Sequence, residues 1–202
     1  ITYNVIGISK GAFATEDIKS FKASKNIRDI GQYCFSGCKN LETLDLSLAK
    51  HTLIPARMCK DCVKLVNISI GDFVEKIHEY AFYNTGLVSL ALPYSTTSIA
   101  QYAFAFCSHI VSITGTVRVV DANAFLNDVK LKEFRHCGFT DITLYKDLRS
   151  AGSKAFADNL FLRKVAIQEG VEEIGEYCFA KAEFNGVSAS GEGPIENIDA
   201  PR

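Results

Sequence analysis

The chain has 202 residues, 48% hydrophobic and 22% charged, with a formal net charge of −1. That is enough material for a sizeable buried core and lies well outside the range of disordered chains. The interspersed charges form no basic stripe for nucleic acid or an anionic membrane surface, and no apolar run approaches the roughly 20 residues of a membrane-spanning helix.

Read from the N-terminus, Ile1-Thr2-Tyr3-Asn4-Val5 already joins a pattern that the rest of the chain repeats. The chain opens on Ile1 without a charged-then-apolar leader, so it is expected to be a piece of a longer protein, with any export signal outside it. The first unit carries Val5, Ile8, Phe13, Ile18 and Phe21. The second carries Ile27, Ile30, Phe35, Leu41 and Leu44, and the third His51, Ile54, Cys59, Leu65 and Ile68. The fourth and fifth carry Val74, Ile77, Phe82, Leu87 and Leu90, then Thr96, Ile99, Phe104, Ile110 and Ile113. The sixth has Val117, Val120, Phe125, Leu131 and Phe134, and the seventh Leu148, Ala151, Phe156, Leu162 and Val165. The eighth has Val171, Ile174, Phe179, Phe184 and Val187. The anchor position, Phe or once Cys59, recurs every 21–24 residues except for a 31-residue interval between Phe125 and Phe156.

Fixed periods of this length are the mark of a solenoid. Leu44-Asp45-Leu46, Ile68-Ser69-Ile70 and Leu90-Ala91-Leu92 alternate apolar and polar, the period of a half-buried strand. Gly31-Gln32-Tyr33-Cys34-Phe35 is too short for a free-standing helix and is expected to be a turn or a single helical turn that drops Phe35 inward. Ile27-Arg28-Asp29-Ile30 is expected to cross the back as a second extended piece. No unit can bury its apolar face alone, so stacking supplies the core and each column becomes a ladder of like residues.

Three phrases resemble the BspA-like class of leucine-rich repeats: Ile30-Gly31-Gln32-Tyr33-Cys34-Phe35-Ser36-Gly37-Cys38, Ile54-Pro55-Ala56-Arg57-Met58-Cys59 and Ala81-Phe82-Tyr83-Asn84-Thr85-Gly86-Leu87. The likeness covers nearly the whole chain. The expected fold is an α/β-type repeat solenoid: a right-handed leucine-rich-repeat superhelix of about eight repeats over residues 1–202. One curved, parallel, mostly β sheet would line one side, with short helical turns or irregular segments on the other. The resemblance implies a cell-surface or secreted protein of the adhesin kind, with a protein or glycan ligand. The stretch around 126–154 is irregular. Phe134-Arg135-His136-Cys137-Gly138-Phe139 aligns with Phe82-Tyr83-Asn84-Thr85-Gly86-Leu87, so residues 132–150 read as a truncated extra repeat with a strand at Ile142-Thr143-Leu144; the alternative is a loop bulging from a regular stack.

Seven cysteines (Cys34, Cys38, Cys59, Cys62, Cys107, Cys137, Cys178) include a Cys59-Lys60-Asp61-Cys62 pair that evokes zinc. Their columns argue for small buried hydrophobes instead, since Cys38, Cys62 and Cys107 align with Thr85, and Cys34 and Cys178 with Ala81 and Ala103. No metal and no cofactor is expected. His51, His78, His109 and His136 fall in four columns and read as surface or partly buried residues, so no base is expected beside a nucleophile. Phosphate-loop, dinucleotide, zinc-protease and nucleophile-elbow motifs are absent, and no enzymatic activity is expected.

Two columns are candidate ligand surfaces. Outward strand positions, expected on the concave face, are mostly small and polar and include Asp45, Asn67, Ser69, Ser89, Thr114, Asp141, Thr143 and Lys164. Tyr33, Tyr80, Tyr102 and Tyr177 form an aromatic stripe that either stacks a ligand or covers the neighbouring rung with its hydroxyls wet. Asn67-Ile68-Ser69 is a glycosylation triplet inside a strand, which favours a source that does not N-glycosylate. A structural spacer is the alternative to a binding module. An enzyme on a parallel solenoid is a third, and only Phe134–Lys154 could host its site.

Overall fold

The computed structural model describes residues 4–110, 112–114, 117, 119–121, 123–125, 133–134, 141–144, 150–157, 164–168, 171–180 and 186–190. They form a parallel β-solenoid with two ladders rather than the single sheet expected. The back ladder consists of two-residue strands: β1 (Gly7–Ile8), β3 (Asp29–Ile30), β5 (Leu53–Ile54), β7 (Lys76–Ile77), β9 (Ser98–Ile99), β11 (Val119–Val120), β14 (Ser150–Ala151) and β16 (Glu173–Ile174). The front ladder holds β2 (Ser20–Lys22), β4 (Thr43–Asp45), β6 (Asn67–Ser69), β8 (Ser89–Ala91), β10 (Ser112–Thr114), β12 (Glu133–Phe134), β13 (Asp141–Leu144), β15 (Lys164–Gln168) and β17 (Gly186–Ser190), paired as three successive sheets that break between β6 and β8 and between β12 and β13. Register follows the repeat: Ile8 lies opposite Ile30, Ile77 opposite Ile99, Phe21 opposite Leu44, and Leu44 opposite Ile68.

The back ladder is interrupted once, between β3 and β5. The cause is a missing donor. Gly31, His78, Ala100, Asp121, Gly152 and Gly175 each donate a backbone N–H, over 2.7–3.0 Å, to the carbonyl of Ile8, Ile54, Ile77, Ile99, Val120 and Ala151 respectively. In the third rung that position is Pro55, which has no N–H to give Ile30.

The inward columns make one continuous core. Phe35, Phe82, Phe104, Phe125 and Phe156 are fully buried. Their rings stack face to face along the solenoid: Phe13–Phe35 at 5.3 Å, Phe82–Phe104 at 5.2 Å, Phe104–Phe125 at 5.3 Å and Phe156–Phe179 at 5.5 Å. Cys59 takes the Phe slot in the third rung. Beside it Met58, also fully buried, stands where other rungs carry Cys34, Ala81 or Ala103, so bulk lost in one column returns in the next.

The segment between back strand and Phe anchor contains no helix among the described residues: of the two alternatives, a turn and a single helical turn, it is the turn. Its N–H groups alternate in direction. In the first unit Ala12, Ala14 and Glu16 donate to carbonyls three residues back, while Phe13 and Thr15 donate at 2.8 Å to Cys34 and Ser36 of the next rung. A helix would send every N–H back along its own chain; here every second one builds the stack. Left-handed residues make the alternation possible, with φ of 59° at Tyr33, 57° at Arg57, 56° at Tyr80, 57° at Tyr102, 58° at Asn123, 55° at Lys154 and 56° at Tyr177.

Among the described residues, the long interval between Phe125 and Phe156 adds a strand to the front and leaves the two Phe rings in direct contact. On the front, β12 pairs with β10 and β13 pairs with β15, so the strand expected at Ile142-Thr143-Leu144 is present. On the back, Val120 lies directly opposite Ala151, and Phe125 stacks on Phe156 at 5.4 Å. Phe134 is therefore not an anchor; it lies opposite Ile113 in the strand column. The excursion is neither a full repeat nor a plain loop, because among the described residues only the front column is doubled. Residues 126–132, 135–140 and 145–149 lie outside the described residues.

Candidate functional site

Two surfaces carry the candidate residues. On the front, strand alternation turns Thr43 outward and Leu44 inward, and likewise Ser89 and Ala91 outward around buried Leu90. Asp45 accepts from the Lys22 ammonium at 2.8 Å and from the Ser47 amide and hydroxyl at 3.0 and 2.6 Å. These contacts, led by Lys22, hold its carboxyl down at about 2. Asn67, Ser69 and Ser89 are exposed and Thr114 is half-buried. Asp141 lies opposite Lys164 in register, and Thr143 opposite Ala166; their side chains lie outside the described residues. The front face is thus a row of mostly short groups in which Lys22, paired with Asp45, is the long side chain among those described.

The turn edge differs. The left-handed column projects Tyr33, Arg57, Tyr80 and Tyr102 from successive rungs, all half-buried, with Tyr177 further along and exposed. Tyr80 stacks on Tyr102 at 4.9 Å with planes 16° apart. The Arg57 guanidinium lies between two rings, 5.4 Å from the centroid of Tyr33 and 5.1 Å from that of Tyr80, and its Nη1 donates to the Tyr33 hydroxyl. The Lys10 ammonium stands 5.6 Å from the Tyr33 ring, and that of Lys154 6.0 Å from the Tyr177 ring. Tyr83 leans on Tyr80 at 5.5 Å and on Phe106 at 5.2 Å, with Lys60 5.5 Å from its ring. Burial, with Asp61 nearby, raises the Tyr83 phenol. The Tyr column and the neighbouring aromatics therefore form a cation–aromatic ladder. Arg57, Lys60, Tyr83 and Phe106 were not singled out from sequence. Arg57 could have been, because it occupies the tyrosine column two residues before the anchor; Tyr83 and Phe106 break columns of otherwise smaller residues.

The cysteines behave as their columns suggest. Cys34, Cys38, Cys59, Cys62, Cys107 and Cys178 are buried thiols outside any disulfide; Cys137 lies outside the described residues. Desolvation pushes the Cys34 and Cys178 thiols up to about 12 and Cys38 to about 11, and raises Cys59, so each stays protonated at neutral pH. Cys38, Cys62 and Cys107 direct their sulfurs at the carbonyls of Phe13, Phe35 and Phe82, each one rung back, at 2.8, 3.0 and 3.0 Å. The shared column is thus a column of weak donors, and Thr85 fits it, its hydroxyl 3.1 Å from the Cys107 sulfur.

His51, expected at the surface or partly buried, is instead buried at 2% exposure, with no hydrogen-bond partner for either ring nitrogen among the described residues. Its column of Ile27 and Val74 is a core column, and desolvation lowers its pKa to about 4. His78 is half-buried, 4.0 Å from Glu79. His109 is exposed, with Nδ1 3.3 Å from the hydroxyl of its neighbour Ser108. His136 lies outside the described residues.

Comparison with known proteins agrees with this geometry. A family model of the BspA type leucine rich repeat region matches residues 4–132 and 126–199, with six copies. No curated protein matches. A leucine-rich repeat protein from Bacteroides ovatus superposes with a TM-score of 0.58 at 17% identity, over 94% of this chain and 61% of the other. This chain thus spans about three fifths of that protein's structure. The leucine-rich repeat protein of T. pallidum gives 0.51 at 17% identity, over 85% of this chain and 67% of the other. The pneumococcal vaccine antigen PcpA gives 0.51 at 16% identity, over 92% and 60%. At these identities the superpositions show the fold alone. The family match runs along nearly the whole sequence and accounts for the anchors, the columns and the two ladders: this chain belongs to the BspA type leucine-rich repeat family.

Proposed function

We propose that this chain is a non-catalytic, ligand-binding repeat module of a cell-surface or secreted protein, recognising a protein or a glycan. In this reading the stack is a right-handed superhelix of about eight repeats with the front strands on its concave side. One observation carries the proposal: a single backbone frame presents the same outward positions at successive rungs over a continuous core. That gives an extended periodic surface in place of a pocket. The vaccine-antigen description of the pneumococcal structural neighbour is in keeping with surface exposure.

The test is a solid-phase screen of the folded, monomeric chain against extracellular-matrix proteins and a glycan panel. Saturable binding supports the module. A second reading, a spacer that holds another domain away from a surface, draws on the short side chains of the front face and on tyrosine rings already covered by their neighbours. Absence of binding to every probe by a folded sample would favour it.

A further inference from the structure

The strongest unspent chemistry on the molecule is at Arg57. Its guanidinium is held between the rings of Tyr33 and Tyr80, which fixes the plane of the group. Of its five N–H donors, the one described hydrogen bond goes to the Tyr33 hydroxyl. No carboxylate among the described residues comes within ion-pair distance of it. Asp61 is engaged elsewhere, with Lys60 at 3.6 Å and with the Asn84 amide at 2.8 Å. Glu79, in the adjacent rung, lies 4.0 Å from His78, an ion pair only when that imidazole is protonated. A half-buried cation is therefore held in place with no carboxylate among the described residues paired to it.

The same stack determines what could answer it. Tyr33 is covered by Lys10 on one face and Arg57 on the other; Tyr80 by Arg57 and Tyr102. A sugar ring cannot lie flat on faces already taken. What the edge offers outward is ring rims, the positive side of the aromatic quadrupole, together with phenol hydroxyls and the cations Lys10 and Arg57, while Lys60 is paired with Asp61 at 3.6 Å. These favour acceptors and negative charge. The edge also repeats rung by rung, and the described cavity, lined by residues such as Glu16, Asp61 and Asn84, includes none of Tyr33, Arg57 and Tyr80, so it offers them no pocket for the apolar anchor of a protein partner. A repetitive polar chain fits it better than a folded protein does.

We infer that the Tyr33–Arg57–Tyr80 edge binds an acidic polysaccharide, with a carboxylate or sulfate received by the Arg57 guanidinium and neighbouring sugar hydroxyls by the tyrosine hydroxyls. This rests on the binding-module reading and narrows it to one edge and one ligand class.

The experiment is calorimetric titration of the whole chain with heparin, polygalacturonate, dextran and poly-glutamate at low and moderate salt. Heparin tests sulfate and polygalacturonate tests carboxylate as the recognised anion. Expected is saturable binding to at least one of them, weakening with salt, and no binding to dextran. Arg57→Asn, which tolerates the left-handed backbone, should weaken binding by about tenfold or more, and Arg57→Lys should not fully rescue it because the planar fork is lost. Thermal melts verify that both variants are folded. Equal binding to dextran, or unchanged affinity in folded Arg57→Asn, would overturn the inference. Poly-glutamate binding as well as either polysaccharide would reassign the edge to acidic peptides and overturn it too. Loss of binding in Ser69→Arg but not in Arg57→Asn would place the ligand on the front strands, so that this inference fails while the binding module stands. Failure of every probe, together with a blank solid-phase screen, would remove both.

Discussion

His51 stands in a column that the other described rungs fill with Val5, Ile27, Val74, Thr96, Val117 and Val171. Thr96 satisfies its hydroxyl on the Val74 carbonyl at 2.8 Å; His51 has no such outlet among the described residues. Burial keeps the ring neutral by lowering its pKa from 6.5 to about 4. The unfolded chain therefore takes up a proton on this group at a higher pH than the folded chain does. Stability from the neutral ring is fully present above pH 6.5 and falls as pH drops from there toward 4, by up to roughly 3 kcal/mol for this group. His51→Val should flatten urea-denaturation stability across that window and raise it at pH 5. An unchanged pH slope in the variant would mean that His51 is not the group responsible. In the same rung, Met58 and Cys59 exchange bulk between two inward columns. Cys59→Phe alone should overpack and cost about 1–3 kcal/mol, and adding Met58→Ala should recover much of that. Additive losses in the double-mutant cycle would show that the two columns do not share space.

At the scale of the element, the turn before each anchor decides how rungs join. Its left-handed residue would ordinarily be glycine or asparagine, yet only Gly11 and Asn123 among the described rungs comply. A non-glycine residue there costs about 1–2 kcal/mol. The compensation differs along the column. Tyr80 is stacked on Tyr102 and faced by Arg57, whereas Lys154 is exposed, with its ammonium at 6.0 Å from the Tyr177 ring. Lys154→Gly should therefore raise the midpoint of thermal unfolding and Tyr80→Gly should lower it. The same sign for both would show that the aromatic ladder contributes nothing measurable.

Across the whole molecule, a stack whose rungs touch only their neighbours is held by the sum of its interfaces. Those interfaces are unequal. The second and third rungs lack the back-ladder bond that Pro55 cannot make, while β5 through β16 pair without a break. The first two rungs are also at an end of the described stack. In hydrogen exchange, the ladder amides of Arg28 and Gly31 should lose protection before those of Ala100 and Asp121, and as a group. Uniform protection from end to end would show that the stack opens as one unit and that the Pro55 gap has no thermodynamic consequence.

The period, the inward columns, the parallel front strands and the buried place of the cysteines follow from residue type and spacing, because stacking like on like buries each column whatever the details of the path between. The sequence also placed the tyrosines in one column. It could not show that this column is left-handed, since tyrosine and arginine are poor markers of positive φ; hence a turn and a single helical turn both stayed open where alternating N–H groups reach the next rung. Arg57 and Tyr83 joined the candidate edge only when coordinates laid one rung on another. The fate of the long interval was likewise undecided from spacing: Phe134 fits the anchor and strand columns equally well, and only the direct stacking of Phe125 on Phe156 assigns it to the strand. A repeat fixes which residues share a column. Which faces of those residues remain open depends on distances between rungs, and those exist only in the folded stack.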